Sequence, residues 1–408
     1  MVFASSGDLS DRGAAALDGC GIVYFGNAWT AENRTSSHHI ARRLATRFPL
    51  LYVECPGMRP PTTQYRDVRK LWRTLSHTIQ APRRLSEHMW LCTIPQLPFA
   101  RLPGVPFLNQ SFGAAAVRNA IARVGFKRII LWFVVPHPGY LAGRLGEALS
   151  VYYCIDDYAA HPGVDQDAIQ RADAELTRMA DQVFVAPPGL LEAKQQLNPH
   201  TLFSPHGVDV DLFAQAILPE TPIAPAAASL RHPVVGFFGL LGEWIDVPLL
   251  VRIAEAHPEW TLLIVGRVAA DVTRLKEHGN VTFVGPQPYE ELPQWAKAFD
   301  VAVIPYLRNR QVINANPLKL REYLATGKPV VAVSTPEIDR FGDCVRVAAD
   351  AADFVTKIEE ALDRDTPEQQ ASRMNAVRAM TWDARVEETV GAVGQALRRK
   401  NDHAHKDL

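Results

Sequence analysis

Short apolar runs recur along the chain, and most are separated by segments of helical period. GIVYFG (21–26), LLYVE (50–54), WLCTI (90–94), IILWFV (129–134), VYYCI (151–155), QVFVA (182–186) and TLFS (201–204) each read as a buried strand. Between the first two, Ile40, Leu44 and Phe48 recur at i, i+4, i+8 and predict a helix over 35–48. Helical patterns also cover 112–124 and 166–180. The alternation lapses at 216–233, AILPETPIAPAAASLRHP, which is rich in Pro and Ala and has no period. It then resumes with PVVGFFG, a helix over 247–257, TLLIVG, a helix over 271–278, VTFVG, a helix over 289–298, and VAVIP. The final helices run over roughly 367–399. Strand–helix alternation at this spacing predicts an α/β fold of two doubly wound, parallel-sheet, Rossmann-like domains facing a cleft.

The expected layout follows from those breaks. Residues 1–20 form a loose leader, 21–215 an N-terminal domain, 216–233 a linker and 234–380 a C-terminal domain. A helix over 381–399 packs back on the N-terminal domain. Residues 400–408 form a disordered polar tail whose two histidines are incidental. Ligands of such sheets bind beyond the carboxyl ends of the strands, so the loops there carry the candidate chemistry.

One stretch concentrates that chemistry: NPLKLREYLATGKPVVAV, 316–333. Asn316 is expected to cap the helix, with Pro317 in its first position, where a missing N–H costs nothing. Gly327 ends the helix, Pro329 stops it restarting, and VVAV forms the next strand. Lys319 falls in the first turn, where free N–H groups and the helix dipole favour an anion. Glu322 follows three residues later on nearly the same face. This pair fits a diphosphate and a ribose diol respectively; it also fits a plain surface ion pair.

Bulk properties narrow the class. The 408 residues are 47% hydrophobic and 21% charged, with a net charge of −1. That balance gives no argument for nucleic-acid binding. Five scattered cysteines without a CxxC suggest neither a zinc site nor a disulfide framework. The N-terminus MVFASSGDLSDRG lacks the layout of a signal peptide. No apolar run reaches the roughly 20 residues needed to span a bilayer. Arg59, Arg66, Arg69, Lys70, Arg73, Arg83 and Arg84, interleaved with Leu71, Trp72, Leu75 and Ile79, predict a basic amphipathic helix suited to peripheral membrane contact over 59–84.

In this order and spacing, PHGVDVDLF (205–213), GFFGLLGEW, NVTFVG (280–285) and LREYLATGKPVV (320–331) resemble the GT-B glycosyltransferases of the family-4-like group. The resemblance spans about 20–390. It implies a nucleotide-sugar donor in the C-terminal domain, an acceptor in the N-terminal domain, and transfer without a metal. The family's two glutamates fall on Asn314 and Glu322; its diphosphate-neutralising Arg and Lys fall on Leu240 and Ile245. Lys319 and the helix N-terminus therefore become the main charge, with Arg308 and Arg310 as helpers. This set is more similar to the inverting glucuronosyltransferase of xanthan assembly, which implies Lys319 on diphosphate, Glu322 on ribose, Tyr306 at the donor and Asp156 as catalytic base. The stretches ENRTSSHH, FGLLGEWID and NPLKLREYLATGKP are closer still to bacterial teichuronic-acid and exopolysaccharide transferases.

The candidate site follows. Asp156, with Asp157 beside it, would take the proton of the acceptor hydroxyl. Donor-binding candidates are Lys319, Glu322, Tyr306, Gly239, Leu241, Gly285, Asn314 and Asn316. Acceptor or phosphate candidates are Asn33, Arg34, His38 and His39, with either histidine an alternative base. No metal and no cofactor are expected beyond a UDP- or GDP-linked sugar. The partners implied are that sugar, a lipid-linked or saccharide acceptor, and the inner face of the cytoplasmic membrane. Inversion is expected because Asn314 lacks a charge; a retaining transferase, a nucleotide-sugar 2-epimerase and a non-catalytic scaffold are the alternatives.

Overall fold

The computed structural model describes residues 13–30, 34–55, 57–58, 81–94 and 104–406. The chain divides into two compact units, with crossings at Pro205/His206 and Ala384/Arg385.

Unit 1 carries, among the described residues, an 8-stranded sheet ordered β3-β4-β2-β1-β5-β6-β7-β8. Its strands are β1 (Cys20–Gly26), β2 (Leu50–Glu54), β3 (Arg83–Ser86), β4 (Met89–Thr93), β5 (Arg128–Phe133), β6 (Leu149–Cys154), β7 (Gln182–Val185) and β8 (Thr201–Phe203). All pairs are parallel except β3 with β4. The interior strands β1, β6 and β7 are buried at every position, which is why their sequences run apolar without alternating. Helices Ser36–Arg47, Val105–Val124 and Gln166–Met179 connect them.

Unit 2 carries a 6-stranded, all-parallel sheet among the described residues, ordered β11-β10-β9-β12-β13-β14. The strands are β9 (Val234–Phe238), β10 (Thr261–Val265), β11 (Val281–Gly285), β12 (Val301–Ile304), β13 (Val330–Val333) and β14 (Arg346–Ala348). The order reverses between β9 and β12. That reversal is the topological switch of a doubly wound sheet, where its ligands bind.

Several expectations need correction. The crossing between units lies at 205/206, and 216–233 is part of unit 2. Ala224 and Ala227 are buried in that unit's core, and the Lys297 ammonium donates to the carbonyls of Leu218, Pro219 and Thr221. The described part of the leader is not loose: a turn of helix starts at Gly13, which lies against Gly391 and Gly394, and Leu17 is buried. The tail is helical to Lys406, as the helix Trp382–Lys406 continues through it; Lys400 pairs with Asp181 at 2.8 Å. The 271–278 helix reduces to a turn at Leu275–Glu277. There the Asp271 carboxylate takes the N–H and hydroxyl of Thr273, which competes with a helix start.

The basic segment 59–80 lies outside the described residues. Arg83 and Arg84 belong to strand β3 instead of a helix. Arg84 donates to the carbonyls of Ser86 (3.1 Å) and Glu87 (2.9 Å), which fixes it to the hairpin it belongs to. Among the described residues, no helix is long and apolar enough to cross a membrane.

Candidate active site

The site grows from the end of β9. Gly239 leaves that strand with φ +116°, a conformation open to glycine. A Cβ there would stand 2.4 Å from Cε of Lys319. The bare backbone therefore makes room for this side chain. Lys319 comes from the first turn of helix Leu318–Ala325 and is half-buried, with its ammonium 5.5 Å from the centre of the Phe237 ring. A ring face attracts a cation and offsets part of its lost hydration. Among the described residues the ammonium makes no hydrogen bond or ion pair. Burial holds its pKa below the usual lysine range, with Glu322 pulling the other way.

Glu322 is 7% exposed. Burial pushes its carboxyl up to about 7, and Asp209 adds to the shift, while Lys319 and a hydrogen bond with Tyr289 oppose it. Lys319 and Glu322 thus sit in one low-dielectric environment without closing into a contact pair. An added anion near Lys319 and a hydroxyl donor near Glu322 would each gain a desolvated partner.

The helix that presents them is fixed at several points. The Phe238 N–H donates to the Tyr323 hydroxyl at 2.8 Å, tying the helix to the last residue of β9. Pro317 is the N-cap, one residue later than expected, with no side-chain cap. Asn316 is not the cap because its Oδ1 is taken by Arg321 Nη1 at 2.7 Å. The Asn316 carbonyl accepts from His206 Nδ1–H at 2.8 Å. Arg321 also pairs with Glu337, and both are buried. Asn316 is therefore a structural residue of this end. Gly327 closes the helix with φ +71° and Pro329 leads into β13, as the spacing predicts.

The other donor candidates distribute unevenly. Leu241 is fully buried. Its N–H donates to Arg267 and its carbonyl accepts from Ala269 and Ala270, so it has nothing left to offer a donor. Gly285 ends β11 with φ +71°, separated from β9 by β10. Asn314 is the half-buried C-cap of the short helix Arg310–Ile313. Tyr306 lines a cavity of about 300 Å³ with Asp246, Arg308 and Asp350, which neither Lys319 nor Glu322 lines. Arg308 is diverted from a phosphate role: it donates to the carbonyls of Ala348 (3.3 Å) and Ala349 (2.9 Å).

In unit 1, Asp156 and Asp157 follow β6. Asp157 is buried and starts the turn Tyr158–Ala160. Asp156 keeps part of its carboxylate exposed. Its Oδ1 accepts the Asp157 N–H at 2.9 Å and its Oδ2 meets His161 Nε2 at 2.9 Å. His161 has no place among the sequence candidates; the only signal is a histidine five residues beyond a carboxylate, across a turn.

His38 and His39, the acceptor or phosphate candidates and alternative bases, are placed in the interior. Both are buried. His38 Nδ1 accepts the Thr35 N–H at 3.1 Å, so Nε2 carries the proton and donates to the Ala28 carbonyl at 3.0 Å. Both ring nitrogens are spent, and burial lowers the pKa. Burial, then Arg43 and Arg34, push His39 down to about 2. Arg34 is half-buried beside them; Asn33 lies outside the described residues. No group of three or more potential metal ligands occurs among the described residues.

Residues 232–364, which include Gly239, Lys319 and Glu322, match the family described as glycosyl transferases group 1. The fold agrees: sucrose-phosphate synthase from Thermosynechococcus elongatus superposes with a TM-score of 0.65 over 93% of this chain and 98% of that one, at 17% identity. Unit 2 carries a glycosyl transferases group 1 domain, and the fold is that of the GT-B enzymes. The chain is 27% identical to a Bacillus subtilis protein described as a teichuronic acid biosynthesis glycosyltransferase, over 63% of the chain and 70% of the relative. Its fold is also similar to Anabaena HepE in complex with UDP and glucose, with a TM-score of 0.58 at 15% identity over 95% and 99% of the two chains. An E. coli trehalose-6-phosphate structure bound with UDP-2-fluoro glucose gives 0.66 at 11% identity over 92% and 99%.

Proposed function

We propose that the protein is a glycosyltransferase that moves a sugar from a UDP- or GDP-linked donor to a polysaccharide or lipid-linked acceptor, with inversion. The observation that carries this is the Lys319 ammonium at the switch point of unit 2, half-buried and without a hydrogen bond or ion pair among the described residues. The leaving nucleoside diphosphate develops negative charge as the bond to the sugar breaks. A cation already desolvated and aimed there stabilises that charge with no reorganisation. The uncapped first turn of helix Leu318–Ala325 adds its free N–H groups to the same task. Together they supply the positive charge for which other transferases recruit a metal ion. Glu322 accepts hydrogen bonds from the ribose diol.

Inversion is supported by Asn314, which carries no charge where a retaining family-4 enzyme has its first glutamate. An inverting reaction needs a base on the acceptor, and Asp156 has the exposed carboxylate for it. The uridine nucleotides in the two similar structures named above favour a UDP-linked donor. The teichuronic acid role in the name of the Bacillus subtilis relative favours an envelope polysaccharide acceptor. The basic residues Arg59, Arg66, Arg69, Lys70 and Arg73 favour work at the inner face of the cytoplasmic membrane.

The test is incubation of wild type and Lys319→Ala with a panel of UDP- and GDP-sugars and a bacterial membrane lipid extract. Wild type should transfer one sugar and Lys319→Ala should lose about 100-fold or more in kcat while remaining folded. The anomeric configuration of the product, read by NMR, should be opposite to the donor's. Retention would refute the inverting mechanism, and unchanged turnover in Lys319→Ala would refute the site.

A further inference from the structure

We infer that His161 is a positioning residue that holds the Asp156 carboxylate in the orientation from which it takes the acceptor's proton. The inference rests on the reading of Asp156 as the base.

The geometry starts at the end of β6. Cys154 is the last strand residue, and the chain turns sharply through Tyr158–Ala160. That turn brings His161 back onto Asp156, with Nε2 to Oδ2 at 2.9 Å. On the other side of the same carboxylate, the Asp157 N–H donates to Oδ1 at 2.9 Å. Two donors from opposite ends of one turn therefore grip one carboxyl group and fix its plane. The His161 ring is steadied by Tyr158, whose ring centre lies 5.5 Å away. The pair is not buried for packing: side-chain exposures are 26% for His161 and 32% for Asp156. A half-exposed carboxylate with both oxygens held is arranged for contact with a ligand. Asp156 is not the cap of the next long helix: Gln166–Met179 is capped by Asp165.

The chemistry closes. The acceptor hydroxyl oxygen bonds to the anomeric carbon as the bond from that carbon to the diphosphate oxygen breaks. The hydroxyl proton passes to Asp156, and the electron pair leaves on the nucleoside diphosphate. During this step Nε2–H of His161 stays on Oδ2, so the lone pairs of the carboxylate remain directed at the acceptor. Without that donor only the Asp157 N–H holds the carboxylate, its Oδ2 is no longer fixed, and fewer encounters are productive.

His161→Phe keeps the ring shape and removes the donor; His161→Gln restores an N–H near the position of Nε2. Both are compared with Asp156→Asn in UDP or GDP release from the productive donor, with a bacterial membrane lipid extract as acceptor. His161→Phe should lower kcat about 100-fold with the donor KM and melting temperature unchanged, and His161→Gln should recover most of that loss. His161→Ala with added imidazole gives the same reading should the Phe variant not fold: imidazole should raise its kcat. Wild-type kcat in His161→Phe, or no recovery with Gln or imidazole, would overturn the inference while a slow Asp156→Asn left the base in place. Wild-type kcat in Asp156→Asn would overturn the base itself.

Discussion

Lys319 is usable only because position 239 has no side chain. In Gly239→Ala the new methyl would meet the end of the lysine, a flexible group that swings aside, while the backbone at φ +116° would be strained. The expected result is a loss of about 1–2 kcal/mol in stability together with weakened nucleoside diphosphate binding. Denaturant titration and calorimetry would separate the two effects; intact binding would show that the lysine's place beside Gly239 is immaterial. Glu322 gives a second consequence. Burial raises its carboxyl to about 7, well above the ordinary glutamate range. The folded state therefore keeps a proton that the unfolded chain has already released. Its contribution favours folding at low pH and is lost as pH rises from about 4.5 through 7, by about 3 kcal/mol in all. Ligand-free Glu322→Gln should thus exceed wild type in stability at pH 8, with the gap closing by pH 5. A gap independent of pH would contradict the buried carboxyl. These two residues could be read from sequence because both lie on one helix, where spacing fixes the face. Asp156 could be read only singly and His161 not at all, since the turn that joins them has no period.

At the scale of elements, helix Leu318–Ala325 illustrates what spacing does and does not decide. Its end at Gly327 and the strand after it follow from local chemistry. Its start slips by one residue because Arg321 is buried and claims the Asn316 side chain. That long-range demand comes from Glu337, beyond β13. Glu337→Gln should remove the charge that Glu337 sets against the buried Arg321 guanidinium and cost about 3–5 kcal/mol, measured by chemical denaturation. A cost under about 1 kcal/mol would mean that the pair does not organise this end of the helix. The same kind of cause explains the other differences. Segment 216–233 has linker composition, yet Lys297 gathers its carbonyls onto unit 2. Strands β3 and β14 are too short for a periodic signal and exist through their pairing partners.

For the whole molecule, both units carry doubly wound sheets, and this much was written in the alternation of apolar runs and helical periods. The strand orders were not, since order depends on pairings distant in sequence. Yet the order of unit 2 is what makes the Lys319 neighbourhood a site: it sets the end of β9 at the reversal with β12. The charge count leads to the same residue. Leu240 and Ile245 stand where the resemblance expects cations, and Arg308 is spent on backbone carbonyls. The account therefore asks one ammonium and one helix end to hold a diphosphate. Calorimetric titration of UDP and GDP into wild type and Lys319→Ala tests that demand directly. Wild type should bind one of the two, and the variant should bind it about 10–100-fold more weakly, the worth of one charge-assisted hydrogen bond. Equal affinities in the two proteins would contradict it.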